Sequence, residues 1–185
     1  MITKLYFFFR KKLYARFTNN KRIVGHFTGH QPVVIRGQGE VSFGKDVSFG
    51  VINAPQFYNT YAYIEARTSN SELIFGDHVH VNNAFSIISE KRIVIGSHAL
   101  IGYSCVITDS NFHDLDPDNR DSTDPESKEV VIEDNVFIGN HVTILKGVTI
   151  GKNSVVAAGS VVTKSFPNDV IIGGVPAKII ASLTS

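Results

Sequence analysis

Histidine and cysteine are the side chains best suited to exchanging protons near neutral pH, and this chain holds seven of the first and one of the second. His113 stands near the head of a polar stretch, TDSNFHDLDPDNRDSTDPESKEVV (residues 108–131), which carries eight acids against Arg120 and Lys128. An imidazole with a pKa near ~6.5 is mostly neutral at pH 7 and can accept a proton as charge develops on an attacking hydroxyl, so His113 is the candidate general base. Asp114 or Asp116 could orient the ring through its other nitrogen, and a backbone carbonyl could do the same. His26 with His30, and His78 with His80, could chelate zinc as isolated pairs. His98 and His141 read as surface or intersubunit positions, with His141 the one that could line a cleft. Cys105 reads as a small packed side chain rather than a catalytic thiol.

These groups need a scaffold. With 185 residues, 43% hydrophobic and 19% charged, the chain has the composition of one globular domain, or of one domain with a short appendage. The apolar run Leu5 to Phe9 is far shorter than the ~20 residues of a membrane span, and Arg10, Lys11 and Lys12 end it too early for a secretory signal. One cysteine excludes an internal disulfide framework, which fits a reducing compartment.

The net charge of +1 hides an asymmetry: residues 1–36 carry eight Lys or Arg and no acid, so all 17 acids fall in the remainder. Within that segment Ile2, Leu5, Phe8, Phe9, Leu13 and Phe17 recur near a helical period. A basic, aromatic helix over residues 1–22 suits an anionic membrane surface, and it equally suits packing on the body or on a neighbouring subunit. No helix-turn-helix, zinc-finger or RNA-binding motif points to nucleic acid.

Beyond residue 40 a repeat of six takes over. Ile132, Ile138, Ile144, Ile150, Val156 and Val162 are six residues apart, as are Ile95, Ile101 and Ile107, then Phe75, Val81 and Ile87, then Phe43 and Phe49. Glycine often follows the anchor, and small or β-branched residues, Cys105 among them, stand four places after it. Period six fits neither a helix nor a flat strand. It fits a solenoid of short strands and tight turns, three faces to a coil of 18 residues, with the anchors inside and glycine where a Cβ would be crowded. The register slips by one residue between Ile107 and Ile132, so 108–131 leaves the solenoid as an excursion. Residues 54–72 also break the pattern, either as an irregular coil or as a loop that shapes a site.

The stretch IVIGSHALIGYSCVITDSNFHDLDP, followed by VVIEDNVFIGNHVTILKGVTIGKNSVVAAGSVVTKSFPNDVIIGGVPAKII, resembles the hexapeptide-repeat acyltransferases, and within them the sugar O-acetyltransferases. The resemblance covers roughly residues 40–180. It implies an all-β solenoid, a left-handed parallel β-helix with a short N-terminal helix and one excursion loop. It further implies a homotrimer, with acetyl-CoA lying between neighbouring subunits as co-substrate, and no metal. By resemblance, His113 is the catalytic base, and Asn82 and Glu90 contact the acceptor, Glu90 standing where the family usually has aspartate. Asn82 and Asn83 could also simply cap a turn. Asn140, Ala158, Thr163, Lys164 and Lys178 are carried over as the CoA-binding positions, with Phe137 where tryptophan is frequent and Ala181 where a basic residue is frequent. Metal-bearing relatives on this fold use a His-x4-His pair, which this sequence lacks.

The expected organisation is a basic N-terminal segment 1–36, a β-helix acyltransferase domain 37–180 with the loop 108–131, and a tail 181–185. The expected function is acetyl transfer from acetyl-CoA to a hydroxyl of a sugar or surface-polysaccharide precursor. Transfer is direct, in a ternary complex, in the cytoplasm or at the inner membrane face. Acetylation of an amino sugar or antibiotic on the same scaffold, and a non-catalytic β-helix subunit, are the alternatives.

Overall fold

In the computed structural model, residues 2–183 are described, with side chains from Leu5 onward. Met1, Thr184 and Ser185 lie outside the described residues, and with them the last two residues of the expected tail.

The hexad arithmetic becomes a three-sided prism. Face I stacks Ile23–Val24, Glu40–Phe43, Glu72–Phe75, Arg92–Ile95, Val130–Ile132 and Thr149–Ile150. Face II begins with Phe27–Gly29, Val47–Phe49, His80–Val81, Leu100–Ile101, Phe137–Ile138 and Val155–Val156. It ends in an antiparallel hairpin, Val170–Gly174 with Ala177–Ser182. Face III stacks Val33–Gly37, Ala62–Ala66, Ser86–Ser89, Val106–Thr108, Thr143–Ile144 and Val161–Val162. Every other strand pairing is parallel and in register, so that Ile95 lies beside Ile132 and Ile132 beside Ile150.

Because successive coils are in register, equivalent side chains stack into continuous columns. All the six-residue anchors from Phe43 to Val162 are buried, and so are the small residues four places on, from Val47 to Ser160. The phenylalanines fill the first coils, where Phe43 and Phe75 stack at 5.2 Å, and isoleucines fill the later ones. Each fully buried side chain of this kind stabilises the fold by about 1.5–3 kcal/mol.

The glycines behind the anchors serve close approach between coils. A Cβ on Gly139 would lie 2.7 Å from the Ala158 amide nitrogen of the next coil. Gly50 apart, whose φ is 95°, the left-handed turns fall elsewhere. At the corner between faces I and II, Asp46, His78, His98, Asn135, Asn153 and Asp169 take φ values of 53–62°. Asn, Asp and His tolerate that region best among residues with a Cβ. His78 and His98 are therefore turn residues, exposed and stacked on each other at 4.9 Å, and His141 takes the same role between faces II and III with φ of 57°.

Strand pairing starts at Ile23, ahead of the expected boundary at 37. The first coil was hidden because Gly29 stands beside the anchor Phe49 and Ile35 lies eight residues before Phe43; in the second coil Val51–Tyr61 is inserted between faces II and III before Ala62–Ala66 resumes the pattern. Asn83 holds that insertion, its amide bonding the Val51 and Pro55 backbone. At the other end, the last strand runs on to Ser182, into the segment expected as tail. The N-terminal helix α1 (Ile2–Ala15) lies against Val33–Gly37 and, through Phe7, on Phe57.

Candidate active site

The excursion leaves face III after Val106–Thr108 and returns at Val130–Ile132. Asp109, fully buried at its exit, accepts from Ser89 Oγ and the amides of Glu90, Lys91 and Arg92 at 2.6–2.9 Å. It thereby ties the exit to the preceding coil. Its carbonyl accepts the Lys128 amide at 2.9 Å, which closes the neck of the loop.

Asp124 fastens the loop to the following coil. Its carboxylate accepts the Asn111 amide at 2.7 Å, the Glu126 amide at 3.0 Å and the Lys146 ammonium at 2.6 Å. Burial works to raise its pKa, but the Asn111, Lys146 and Glu126 donors outweigh burial and hold it down to about 2. Glu90 completes the clamp, accepting from the Ser110 hydroxyl and from Thr123 Oγ1 at 2.9 Å.

His113 sits on this anchored loop, exposed, with Nδ1 2.8 Å from the Arg120 carbonyl. A carbonyl only accepts, so Nδ1 carries the proton and the lone pair of the neutral ring is on Nε2. The orienting partner is thus this backbone carbonyl. Asp114 and Asp116 have other tasks: Asp114 accepts the Asp116 amide, and Asp116 caps the short turn Pro117–Asn119. Phe112, just before the histidine, is held in a left-handed conformation (φ 63°) under the Arg67 guanidinium, which lies 4.4 Å from its ring. Arg67 is braced in turn by Glu65 at 3.2 Å and Glu90 at 3.8 Å.

The other candidates fall into three places. Asn82, Asn140 and Ala158 line the edge between faces II and III; Asn140 and Ala158 are on successive turns, and the coil of Leu100–Ile101 lies between Asn82 and Asn140. Asn82 and Asn140 share a shallow groove there with His80, Leu100 and Phe137. Asn82 Oδ1 accepts the Asn83 amide, while its Nδ2 makes no hydrogen bond among the described residues. Asn140 Oδ1 accepts the Tyr103 amide at 3.1 Å. Thr163 and Lys164, both exposed, follow Val161–Val162 and lie at the edge between faces III and I, the edge from which the loop of His113 departs. Lys178 is exposed on the terminal hairpin. Thr163 is five positions after Ala158, about 15 Å of extended chain, so one chain holds two candidate rows on different edges of the prism.

The Glu90 side chain is only 7% exposed and is engaged by Ser110, Thr123 and Arg67. Asp109, Asp124, Lys146 and Arg67 were not singled out from sequence, because they meet only in three dimensions. Cys105 is packed inside, its thiol pushed up to about 11 by burial. Among the described residues no group of three His, Cys, Asp or Glu is placed to hold a metal ion.

Comparison with known proteins adds to this geometry. The bacterial transferase hexapeptide family (six repeats) matches residues 129–164. A putative lipopolysaccharide biosynthesis O-acetyl transferase, WbbJ, of Escherichia coli K12 is 36% identical over 158 residues, 80% of this chain and 75% of that protein. Galactoside O-acetyltransferase of Lactococcus lactis is 35% identical over 125 residues, 68% of this chain and only 56% of that protein. A solved hexapeptide-repeat acetyltransferase of Vibrio cholerae, complexed with acetyl coenzyme A, matches with a TM-score of 0.54 at 31% identity. That match covers 94% of this chain and 76% of the other.

Proposed function

This chain belongs to the hexapeptide-repeat acetyltransferases, left-handed parallel β-helices, and from that premise we propose that it transfers acetyl from acetyl-CoA to a hydroxyl of a saccharide. The observation that carries the proposal is the exposed His113 imidazole, fixed through Nδ1 by the Arg120 carbonyl on a loop clamped at both ends, which leaves Nε2 as the base.

In the proposed reaction His113 Nε2 takes the proton of the acceptor hydroxyl as that oxygen attacks the thioester carbonyl. The tetrahedral intermediate collapses with cleavage of the C–S bond, and the proton passes from His113 to the departing CoA thiolate. The transfer is direct, in a ternary complex, and uses no acyl-enzyme. Asn82, whose Nδ2 lacks a partner, is assigned to the acceptor. Glu90 is assigned to holding the loop.

Donor binding is assigned to Asn140, Ala158, Thr163 and Lys164, with Lys178 near the nucleotide. Exposed lysines suit the phosphates, and the strand edges offer amide and carbonyl groups to the pantetheine arm. The two rows on separate edges support a homotrimer. In a ring of copies, one chain's edge meets a different edge of its neighbour, so each site is completed by two subunits. The relatives named for lipopolysaccharide and galactoside acetylation support a surface-polysaccharide precursor or glycoside as acceptor.

Thermal unfolding with added acetyl-CoA tests the donor half without knowledge of the acceptor. Ligand at 100 times its Kd adds about 2.7 kcal/mol per site to the native state. The wild type and His113→Ala should both shift upward, and Lys164→Ala and Lys178→Ala should shift less. No shift at millimolar acetyl-CoA would remove the donor assignment and favour a scaffold role.

A further inference from the structure

Helix α1 has two unlike faces. Phe7, Arg10, Lys11 and Tyr14 turn toward the body: Phe7 is only 7% exposed, Arg10 donates to the Tyr58 and Thr60 carbonyls, and Lys11 donates to the Gly29 carbonyl. At 100° per residue, Leu5, Phe8, Phe9, Lys12, Leu13 and Arg16 gather on the opposite side. Leu5 is 56% exposed and Phe9 60%, and Phe8, Leu13 and the following Phe17 are about half exposed. Lys12 reaches over the Phe8 ring at 4.4 Å, while the side chains of Arg16 and Lys21 make no hydrogen bond or ion pair among the described residues.

We propose that this outward face of α1 docks the protein on an anionic lipid surface. Charge and apolarity point the same way. The segment 1–36 carries eight basic residues and no acid, although the rest of the chain is acidic. The exposed rings and leucines suit the boundary between headgroups and acyl chains, and the long stems of Lys12 and Arg16 let their charges reach lipid phosphates. The body-facing side of the helix is already satisfied, so docking requires no unfolding. Rotational symmetry also helps, because in any ring of copies every α1 stands at the same height along the axis and several engage one surface together.

The inference goes beyond acetyl transfer, and its test needs no substrate. The full chain is sedimented with vesicles of phosphatidylcholine alone, or with about 30% phosphatidylglycerol added. Binding should be strong only to the anionic vesicles and should fall away at about 0.5 M salt, where screening shortens to a few ångströms. Lys12→Gln with Arg16→Gln should bind roughly thirtyfold more weakly, on about 1 kcal/mol for each basic residue at the surface. Phe8→Ser with Phe9→Ser should also lose binding while keeping the wild-type thermal midpoint and the wild-type mass in sedimentation velocity. The proposal is overturned if the wild type stays in the supernatant with anionic vesicles, or if the charge variant binds as tightly as the wild type. It is equally overturned if the phenylalanine variant changes oligomeric mass but not vesicle binding, since the face would then belong to a second copy.

Discussion

Replacing Lys146 by methionine keeps the stem of the side chain and removes its charge from the clamp that holds the His113 loop. The ammonium lies 2.6 Å from Asp124 Oδ2, with side chains 19% and 3% exposed. A carboxyl whose pKa falls from 3.8 to about 2 on folding contributes about 2 kcal/mol at neutral pH. Without Lys146 the burial cost remains and only the Asn111 and Glu126 amides oppose it, so most of that contribution disappears. The loss should be local. Amide exchange at Asn111 and Lys128, which close the loop, should quicken roughly thirtyfold, and exchange in the Ile132–Ile150 core should not change. Turnover should fall as His113 loses its position, with the KM for acetyl-CoA little altered. The sign with pH follows from the depressed pKa: the stabilisation is whole above pH 4 and is lost as pH falls toward about 2. The gap between wild type and Lys146→Met should therefore close across that window. Wild-type exchange at Asn111 in the variant, or a gap that stays constant from pH 7 to pH 2, would refute the clamp.

Two further substitutions separate the two uses of glycine. Gly139→Ala places a methyl 2.7 Å from the next coil's backbone and should cost about 1–3 kcal/mol, lowering the thermal midpoint by about 2–4 °C for each kcal/mol. Gly159→Ala meets open space but a φ of 73°, so about 1 kcal/mol of backbone strain is expected, and a loss as large as that of Gly139→Ala would contradict the distinction. Cys105, buried with its thiol pushed up to about 11, should resist an aromatic disulfide reagent at pH 8 in the native protein and react on unfolding in guanidinium. Rapid reaction of the folded protein would contradict its packed position.

The part of this architecture that repeats was legible in the sequence. The anchors from Ile95 to Val162 recur every six residues because each strand of the prism must turn one side chain inward at the same height, so their spacing is the core itself. The first coil was not legible, because Gly29 stands where the next coil has the anchor Phe49, and Ile35 lies eight residues before Phe43, off the count of six. The helical period of residues 2–15 was visible, but apolar side chains lie on both of its faces, and only contact with Phe57 shows which one packs. His113 stood out by residue type and position. The groups that hold it did not: Asp109, Asp124 and Lys146 are apart in sequence, and two carboxylates within an acidic stretch look like solvated charge until the coils stack them against Glu90 and Lys146.

The central claim is tested most directly by measuring CoA release from acetyl-CoA with galactosides, other glycosides and amino sugars as acceptors, for the wild type and for His113→Ala. The account predicts acceptor-dependent release on a hydroxyl-bearing saccharide, with the ester recovered as product. His113→Ala should lower kcat by about a hundred- to ten-thousandfold, the usual contribution of a positioned base, while acetyl-CoA binding is retained. A His113→Ala enzyme that turns over within a few-fold of the wild type would contradict the assignment of His113 as base, and acetyl recovered only as an amide would contradict O-transfer.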